Sequence, residues 1–502
     1  MQKKQVFNPY LPLDECIPDG EPHVFGDRVY IYGSHDKLGG ETFCMLDYTV
    51  YSAPVNDLSD WRCEGVIYRA DQDPDYENRK YMYAPDVVRG NDGRYYLYYC
   101  MSGDFGVGGY FGPISVAVCD TPAGKYEYLG YVRHKDGTPM HDYVCFDPGV
   151  INDDGVIRVY YGTRYPFEEE EDFVHNEEHI KQEMEMFNKS REEILGQKDS
   201  VMGPCMVVLE DDMLTVKEAA KHIIPYAVKG TCFEEHPFFE ASSIRKINDT
   251  YYFIYSSMQN HELCYATSKY PDRDFIFGGS IVSNGNVGIN NRMLDDKLNM
   301  TGTTHGSIEF IDGQWYVFYH RLTHKSDYSR QACAEKITIE TDGSIRQVEI
   351  TSCGLSEKPI CASSKIPAVV CCNLTNGDMP HGCNSIYETS FPNVNHRDDD
   401  MFIAEICDRT MIGYKYLTFN GESKLTITAR SDSDGRFTIK AAKKNGLYTE
   451  SDAAVEIGTV DVGQSDQWKE YEADVSSING TYALYLFYSG EGLAELKELI
   501  FS

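Results

Sequence analysis

Four carboxyl groups and one imidazole stand at nearly the same distance before a repeated strand pattern. The pattern is a turn followed by a strand with aromatic or β-branched residues at alternate positions, and its copies begin at residues 26, 92, 154, 248 and 312. Six to eight positions before each copy stands a polar residue: Asp19, Asp86, Asp147, Glu240 and His305. Two carboxyl groups, one protonated and one ionised, can act as general acid and general base on a glycosidic bond. The register predicts that five equivalent strands bring these side chains to one site.

The spacing of the copies predicts the elements that position these residues. Successive copies begin 66, 62, 94 and 64 residues apart, and an interval of about 60 residues has room for roughly four short strands. A single Asp before Pro or Gly commonly forms a turn or a cap, but that role does not explain polar residues in register across all copies. We therefore predict an all-β fold in which residues 1–355 form a five-bladed β-propeller.

The longest interval contains a segment of different character. Residues 167–198 are highly charged and rich in helix formers, with apolar residues at steps of three and four. This pattern predicts a helical insertion in the third repeat. The insertion could be a surface ornament, or it could be a lid or wall that narrows the site.

The repeats stop after Ser352. Residues 356–380 are predicted to be a linker. Residues 381–502 contain runs that alternate apolar and polar residues between Gly, Asp and Ser turns, such as KLTITARS and RFTIKAAKK. That pattern predicts a small antiparallel β-sandwich.

Composition limits the partners of the protein. The net charge of −33 argues against binding of nucleic acids and disfavours anionic membranes, so a neutral substrate is the simplest match. The 16 cysteines show no zinc-ligand spacing and are expected to be reduced thiols. The first residues lack the apolar stretch of a signal peptide, and no run of 18 apolar residues occurs, so we expect a cytoplasmic protein. The oligomeric state stays open.

The local strings around the copies resemble the five blade motifs of glycoside hydrolase family 43. They are PDGEPHVFGDRVYIYGSHD, YAPDVVRGNDGRYYLYY, CFDPGVINDDG, FFEASSIRKINDTYYFIYSS and THGSIEF followed by IDGQWYVFYHR. The resemblance covers about residues 5–325, with the motifs in the family's order. It implies a five-bladed propeller that hydrolyses arabinose- and xylose-containing glycans with inversion.

The resemblance also implies roles for the carboxyl groups. Asp19 matches the general base, Glu240 the general acid, and Asp147 the residue that orients the acid and raises its pKa. Asp19 is followed by Gly, where the family usually has Pro, and Glu21-Pro22 comes two residues later. Glu21 is therefore an alternative base.

Further site residues follow from the same resemblance. Asp86 matches a residue that binds substrate hydroxyls, Tyr83 an aromatic wall, and Arg321 a basic residue beneath the sugar. Asp36 is a further substrate-binding candidate or a turn residue. His305 matches a histidine beside an ion or water at the propeller axis, often calcium, although direct coordination by His305 is not implied. No other cofactor is expected.

Several functions stay open at this point. The expected activity is exo-acting, an α-L-arabinofuranosidase or a β-xylosidase on short plant-derived oligosaccharides. Alternatives are action on another glycan such as galactan, a non-catalytic sugar-binding propeller, or a related enzyme of fructans or mannoside phosphorolysis. The sandwich faintly resembles a family 6 carbohydrate-binding module, through TYALYLFYSGEG and LAELKELIFS. It can bind sugar or pack against the propeller.

Overall fold

A computed structural model describes residues 6–103, 109–164, 177–196, 200–382, 384–398 and 400–502. Over these residues the protein is almost entirely β-structure, which confirms the predicted all-β class. No helix in the described ranges is long and apolar enough to cross a bilayer.

Five antiparallel sheets follow one another along the first two thirds of the chain. Sheet I contains β1 (Glu21–Phe25), β2 (Arg28–Tyr32), β3 (Tyr48–Pro54) and β4 (Arg62–Tyr68). Sheet II contains β5 (Tyr81–Arg89), β6 (Tyr95–Ser102), β7 (Ser115–Cys119) and β8 (Glu127–Tyr131). Sheet III contains β9 (Gly149–Asp153), β10 (Val156–Tyr161), β11 (Cys205–Leu209) and β12 (Val216–His222).

The last two sheets complete the set. Sheet IV contains β13 (Phe238–Ile247), β14 (Thr250–Ser257), β15 (Glu262–Ser268) and β16 (Ile276–Ser283). Sheet V contains β17 (Gly306–Ile311), β18 (Gln314–Leu322) and β19 (Arg330–Ile337). Residues 8–10 run beside β19, where the backbone N–H of Tyr10 donates to the carbonyl of Ala332 over 3.1 Å.

The first strands of neighbouring sheets contact one another in a closed ring. The contacts run from β1 to β5, β9, β13 and β17, and β17 returns to β1. Each repeated sequence pattern is the turn and second strand of one sheet, and left-handed turn residues such as Asp154 (φ 52°) and Asp312 (φ 46°) permit the tight hairpins. The predicted five-bladed propeller is confirmed.

The insertion in sheet III is helical where the structure describes it. Helix α1 spans Glu177–Phe187 and α2 spans Arg191–Gly196, while residues 167–176 and 197–198 of the predicted insertion lie outside the described residues. Ile180, Phe187 and Ile194 are buried in the core shared by sheets II and III. The apolar face of the insertion therefore packs on the propeller.

The C-terminal part of the chain forms two packed sheets. One sheet contains β20 (Ile360–Cys361), β22 (Asn373–Thr375), β25 (Met411–Asn420), β27 (Gly435–Lys443), β28 (Val455–Val462) and β30 (Asn479–Gly490). The other contains β21 (Ile366–Pro367), β23 (Asn393–Arg397), β24 (Asp400–Ile406), β26 (Lys424–Ser431), β29 (Ser465–Asp474) and β31 (Ala494–Phe501). Apolar residues from both sheets form one buried core between them, which confirms the predicted β-sandwich.

Residues 356–380 are not a free linker, contrary to the sequence prediction. Their strands β20 and β22 pair with β25, and β21 pairs with β31. The physical reason is that Ile360, Ile366 and Leu374 are buried in the sandwich core. The division of the chain into domains stays a prediction.

Candidate active site

A cavity of about 440 Å³ lies where the first strands of the blades begin. Carboxyl, imidazole and guanidinium groups share it with an aromatic wall. Its lining residues are Asp19, Phe43, Tyr83, Tyr110, Phe146, Asp147, Met186, Phe239, Glu240, Met258, Asn260, Thr303, Thr304, His305, His320, Arg330, His381 and Asn384. The structure therefore brings together Asp19, Tyr83, Asp147, Glu240 and His305 of the predicted site.

A repeated backbone bend sets the orientation of these side chains. Asp19 (φ 58°), Ala84 (φ 31°), Asp147 (φ 44°) and Ala241 (φ 69°) have left-handed conformations at or just before the first strands of four blades. Such conformations are costly for residues other than Gly and persist where the surrounding structure enforces them. The bend is accompanied by register shifts in β5 and β13, so the equivalent positions are not evenly spaced from the hairpins.

Asp19 lies in a cationic environment. Its Oδ1 accepts a hydrogen bond from Arg330 Nη1 over 2.9 Å and lies 3.1 Å from His320 Nδ1. Burial alone would raise the pKa of Asp19, but the charge of Arg330 and the hydrogen bond of His320 hold it well below its usual range. Asp19 is thus an ionised carboxylate at neutral pH.

Glu240 and Asp147 have the opposite character. Burial, followed by the negative charge of Asp19, raises the pKa of Glu240 to about 8. Burial and the charges of Glu240 and Asp19 likewise raise the pKa of Asp147, although its Oδ2 accepts a hydrogen bond from the Ala241 backbone N–H over 3.1 Å. The cavity therefore contains both an ionised carboxylate and carboxyl groups that retain a proton near neutral pH.

His305 lies between these groups. Its Nδ1 is 3.9 Å from Asp19 Oδ1 and 3.7 Å from Asp147 Oδ2. Burial lowers the pKa of His305 to about 4, so the imidazole is neutral at physiological pH. Because the imidazole is neutral, it does not remove the difference in protonation between the ionised Asp19 and the protonated Asp147 and Glu240.

Asp36 does not line the cavity and is buried behind it. Its carboxylate accepts hydrogen bonds from Arg330 Nε over 2.8 Å and Arg330 Nη2 over 3.0 Å. The same guanidinium stacks over the ring of Phe43, with Cζ 4.6 Å from the ring centroid. Asp36 and Phe43 thereby fix the cation that contacts Asp19, and Asp36 is a positioning residue rather than a substrate contact.

Asp86 and Glu21 lie deeper along the propeller axis and are absent from the cavity lining. Asp86 accepts hydrogen bonds from the backbone N–H groups of Val87 and Val150, each over 2.7 Å. Glu21 Oε2 accepts from Ser243 Oγ over 3.1 Å and from Arg245 Nη2 over 3.0 Å. The predicted contact of Asp86 with substrate does not match this position, because Asp86 lies two residues beyond the bend of blade II.

Arg321 is also outside the cavity. It is buried, and it donates to the carbonyl of Cys371 over 3.2 Å and to Asn299 Oδ1 over 3.1 Å. Arg321 binds the segment that leads into the sandwich. It therefore does not lie beneath the sugar, where the sequence predicted a basic residue. Arg330, on the next strand, supplies the cation of the cavity instead.

Sequence reasoning missed Arg330 and His320, as well as His381 and Asn384 from the C-terminal part of the chain. His320 stands directly before Arg321 in the string YHR, so the motif contains the cavity residue one position before the predicted one. Neighbouring residues of a strand point to opposite faces of a sheet, so only one of His320 and Arg321 can face the cavity. This alternation was the sequence signal that could have identified His320.

Comparisons with known proteins identify similar sequences and structures. The model of "Glycosyl hydrolases family 43" matches residues 17–345. A xylosidase/arabinosidase from Thermoclostridium stercorarium is 43% identical, over 99% of this chain and 98% of that protein. Xylosidase/arabinosidase 43A from Humicola insolens is 29% identical, over 66% of this chain and 98% of its own length.

Solved structures are similar over about two thirds of this chain. The GH43_1 enzyme from Xanthomonas citri complexed with xylose has a TM-score of 0.52 and 24% identity, covering 68% of this chain and 93% of that one. A β-xylosidase/α-arabinofuranosidase from a compost microbial metagenome, in a calcium-free complex with xylotriose, has a TM-score of 0.50 and 26% identity. That match covers 69% of this chain and 97% of the solved chain.

Proposed function

Because the chain belongs to family 43 of the glycosyl hydrolases, we propose that it removes terminal arabinofuranosyl or xylosyl units from oligosaccharides with inversion. The names of its relatives support these two sugars. The single observation that carries the proposal is that Asp19, which is bound by Arg330, and the buried carboxyl group of Glu240 line the same cavity, with pKa shifts in opposite directions. A hydrolase that uses an acid and a base requires this pair of states.

Asp19 is the general base in this proposal. Its carboxylate accepts the proton of a water molecule as the oxygen of that water attacks the anomeric carbon. Arg330 and His320 keep the carboxylate ionised, and Asp36 keeps Arg330 in place. Glu21, the alternative base, accepts hydrogen bonds from Ser243 and Arg245 through Oε2 and does not line the cavity.

Glu240 is the general acid. It donates its proton to the departing glycosidic oxygen while the bond to the anomeric carbon breaks. Burial and the negative charge of Asp19 favour the protonated form of Glu240, and burial with the charges of Glu240 and Asp19 raises the pKa of Asp147 in turn. In an inverting site the acid and base stand roughly 6.5–9.5 Å apart, which leaves room for the attacking water.

The shape and chemistry of the cavity support a small neutral sugar. Phe43, Tyr83 and Phe146 form an aromatic wall, with Tyr83 6.4 Å from Phe43 and 6.0 Å from Phe146 between ring centroids. Aromatic faces and a few fixed polar groups are typical of sugar pockets. A net charge of −33 also disfavours uronic-acid substrates.

The test is a panel of aryl glycosides with the wild type and two variants. We expect release of p-nitrophenol from the α-L-arabinofuranoside, the β-D-xyloside or both, and loss of turnover in Asp19→Asn. Glu309→Gln is a control, because Glu309 lies in β17 and does not line the cavity. Binding of these sugars without any release by the wild type would instead indicate a non-catalytic sugar-binding propeller.

A calcium ion at the propeller axis is a separate part of the proposal. The ligand atoms of Glu21, His23 and Asp86 lie within 4.8 Å of one another, and Glu21 Oε1 is buried with no hydrogen-bond partner in the described part of the chain. Carboxylate oxygens suit calcium better than the nitrogen of His305, so Glu21 and Asp86 would hold the ion. A bound cation would offset the repulsion between these two buried carboxylates. Elemental analysis of the purified wild type and of Glu21→Gln tests this assignment.

A further inference from the structure

Two cavity residues come from outside the propeller. His381 and Asn384 lie on a segment that precedes the sandwich strand β23, and segment 380–387 refers here to its described residues 380–382 and 384–387. Both side chains are exposed to solvent, whereas Asp19, Asp147 and His305 are buried. The cavity therefore has an inner part with the carboxyl groups and an outer part that segment 380–387 helps to form.

The first half of this segment is fixed to Thr301 and Gly302, which directly precede the cavity residues Thr303 and Thr304. The backbone N–H of Thr301 donates to Pro380 O over 3.1 Å, and Gly382 N–H donates to Thr301 O over 3.1 Å. Thr301 Oγ1 also lies 2.8 Å from His381 Nδ1. A Cβ on Gly302 would lie 2.2 Å from Gly382 O, so the two backbones pack at glycine distance.

A second attachment lies on the other side of Asn384. The buried carboxylate of Asp327 accepts a hydrogen bond from Ser385 N over 2.9 Å, and Asp327 N donates to Ser385 O over 3.2 Å. His381 and Asn384 are thus held between two fixed points on blade V. Such fixing reduces the entropy lost when a ligand binds.

We propose that His381 and Asn384 bind hydroxyl groups of the sugar unit next to the cleaved one and thereby form part of its subsite. This inference rests on the proposed function. An amide and an imidazole offer both donors and acceptors, which match the hydroxyls of a neutral sugar. Partial desolvation of the imidazole within the cavity and the charge of nearby Lys297 lower the pKa of His381, so its ring is neutral and can accept as well as donate.

The proposal gives the C-terminal part of the chain a role in specificity. The leaving sugar must lie on the open side of the cleaved bond, because the carboxyl groups that cleave it lie in the inner part. Segment 380–387 stands on that open side and belongs to the part of the chain that continues into the sandwich. The C-terminal part of the chain thereby contributes to substrate choice.

The experiment compares substrates with and without a leaving sugar. We measure kcat and KM of the full-length wild type, His381→Ala and Asn384→Ala on p-nitrophenyl glycosides, xylobiose and arabinosylated xylo-oligosaccharides. We expect KM for the oligosaccharides to rise about fivefold in each variant, the factor of one net hydrogen bond, with less than a twofold change on aryl glycosides. The matched control is His396→Ala, an exposed histidine on β23 that does not line the cavity.

A positioning variant separates binding from folding. Asp327→Ala removes the acceptor of Ser385, so it should raise KM for oligosaccharides and leave kcat on aryl glycosides unchanged, while Asp327→Asn keeps an acceptor and should restore KM. Equal KM values for wild type, His381→Ala and Asn384→Ala on every oligosaccharide would overturn the inference while the hydrolase function stands. A wild type that hydrolyses none of the glycosides would overturn the proposed function itself.

Discussion

Replacement of Arg330 by Gln tests how the site keeps its base ionised. Arg330 Nη1 donates to Asp19 over 2.9 Å, and the guanidinium also binds Asp36 through two hydrogen bonds. With charge centres about 4 Å apart and an effective dielectric constant of about 20, the attraction is about 4 kcal/mol. Since about 1.4 kcal/mol corresponds to one pKa unit, loss of Arg330 should raise the pKa of Asp19 by about 3 units.

The assay is the pH dependence of kcat/KM on an aryl glycoside. The base works only when it is ionised, so activity is present above the pKa of Asp19 and is lost as the pH falls through it. In Arg330→Gln this acidic limb should move up by about 3 pH units. The alkaline limb, where Glu240 loses its proton at about pH 8, should move much less, so the active range narrows.

Folding must be checked in the same experiment, because loss of one partner of a buried ion pair costs about 3–5 kcal/mol. Gln keeps a hydrogen-bond donor for Asp19, and near-ultraviolet circular dichroism reports the native packing. Arg330→Lys is the control that keeps the positive charge and should keep the acidic limb near its wild-type position. A folded Arg330→Gln with an unchanged acidic limb would refute the assignment of Asp19 as the base held by Arg330.

Three further changes test other parts of the account. Glu240→Gln should remove the alkaline limb and lower kcat on oligosaccharides by about 10²–10⁴-fold, with a smaller loss on activated aryl glycosides that need little acid assistance; equal losses on both would exclude Glu240 as the acid. Met186→Ala should raise KM for oligosaccharides, since Met186 lines the cavity from the helical insertion; unchanged KM on every substrate would make the insertion an ornament. Phe437→Ala, in the fully buried sandwich core, should lower the free energy of unfolding by about 3–5 kcal/mol in denaturant titrations; a loss under 1 kcal/mol would contradict the described packing.

The repeat pattern was sufficient to predict the fold, because each copy is a complete local unit. Each copy encodes, within about a dozen residues, a hairpin turn with a left-handed residue and a strand rich in aromatic residues. The sandwich is equally local in its alternation, as in β26 and β27, where apolar residues point to the core. The segment 356–380 was misread because its strands are only two or three residues long.

The site was less readable because it depends on bends and distant contacts. Asp19 and Asp147 occupy equivalent positions with left-handed φ. The bulges of β5 and β13 shift the pairing register of these strands. Counting back from the hairpin therefore selects Asp86, which lies deeper along the propeller axis than the cavity. Arg330 is separated from Asp19 by 311 residues, and no local motif signals their contact. His381 reaches the cavity only because the C-terminal part of the chain folds back on blade V.

The most direct test of the central claim is the configuration of the first sugar released. Proton NMR of wild-type hydrolysis, recorded before mutarotation, identifies the anomer of the new hydroxyl. Asp19 as base and Glu240 as acid predict a product whose anomeric configuration is opposite to that of the substrate. Release of the retained anomer would contradict the account, because it requires a carboxylate nucleophile instead of a water activated by Asp19.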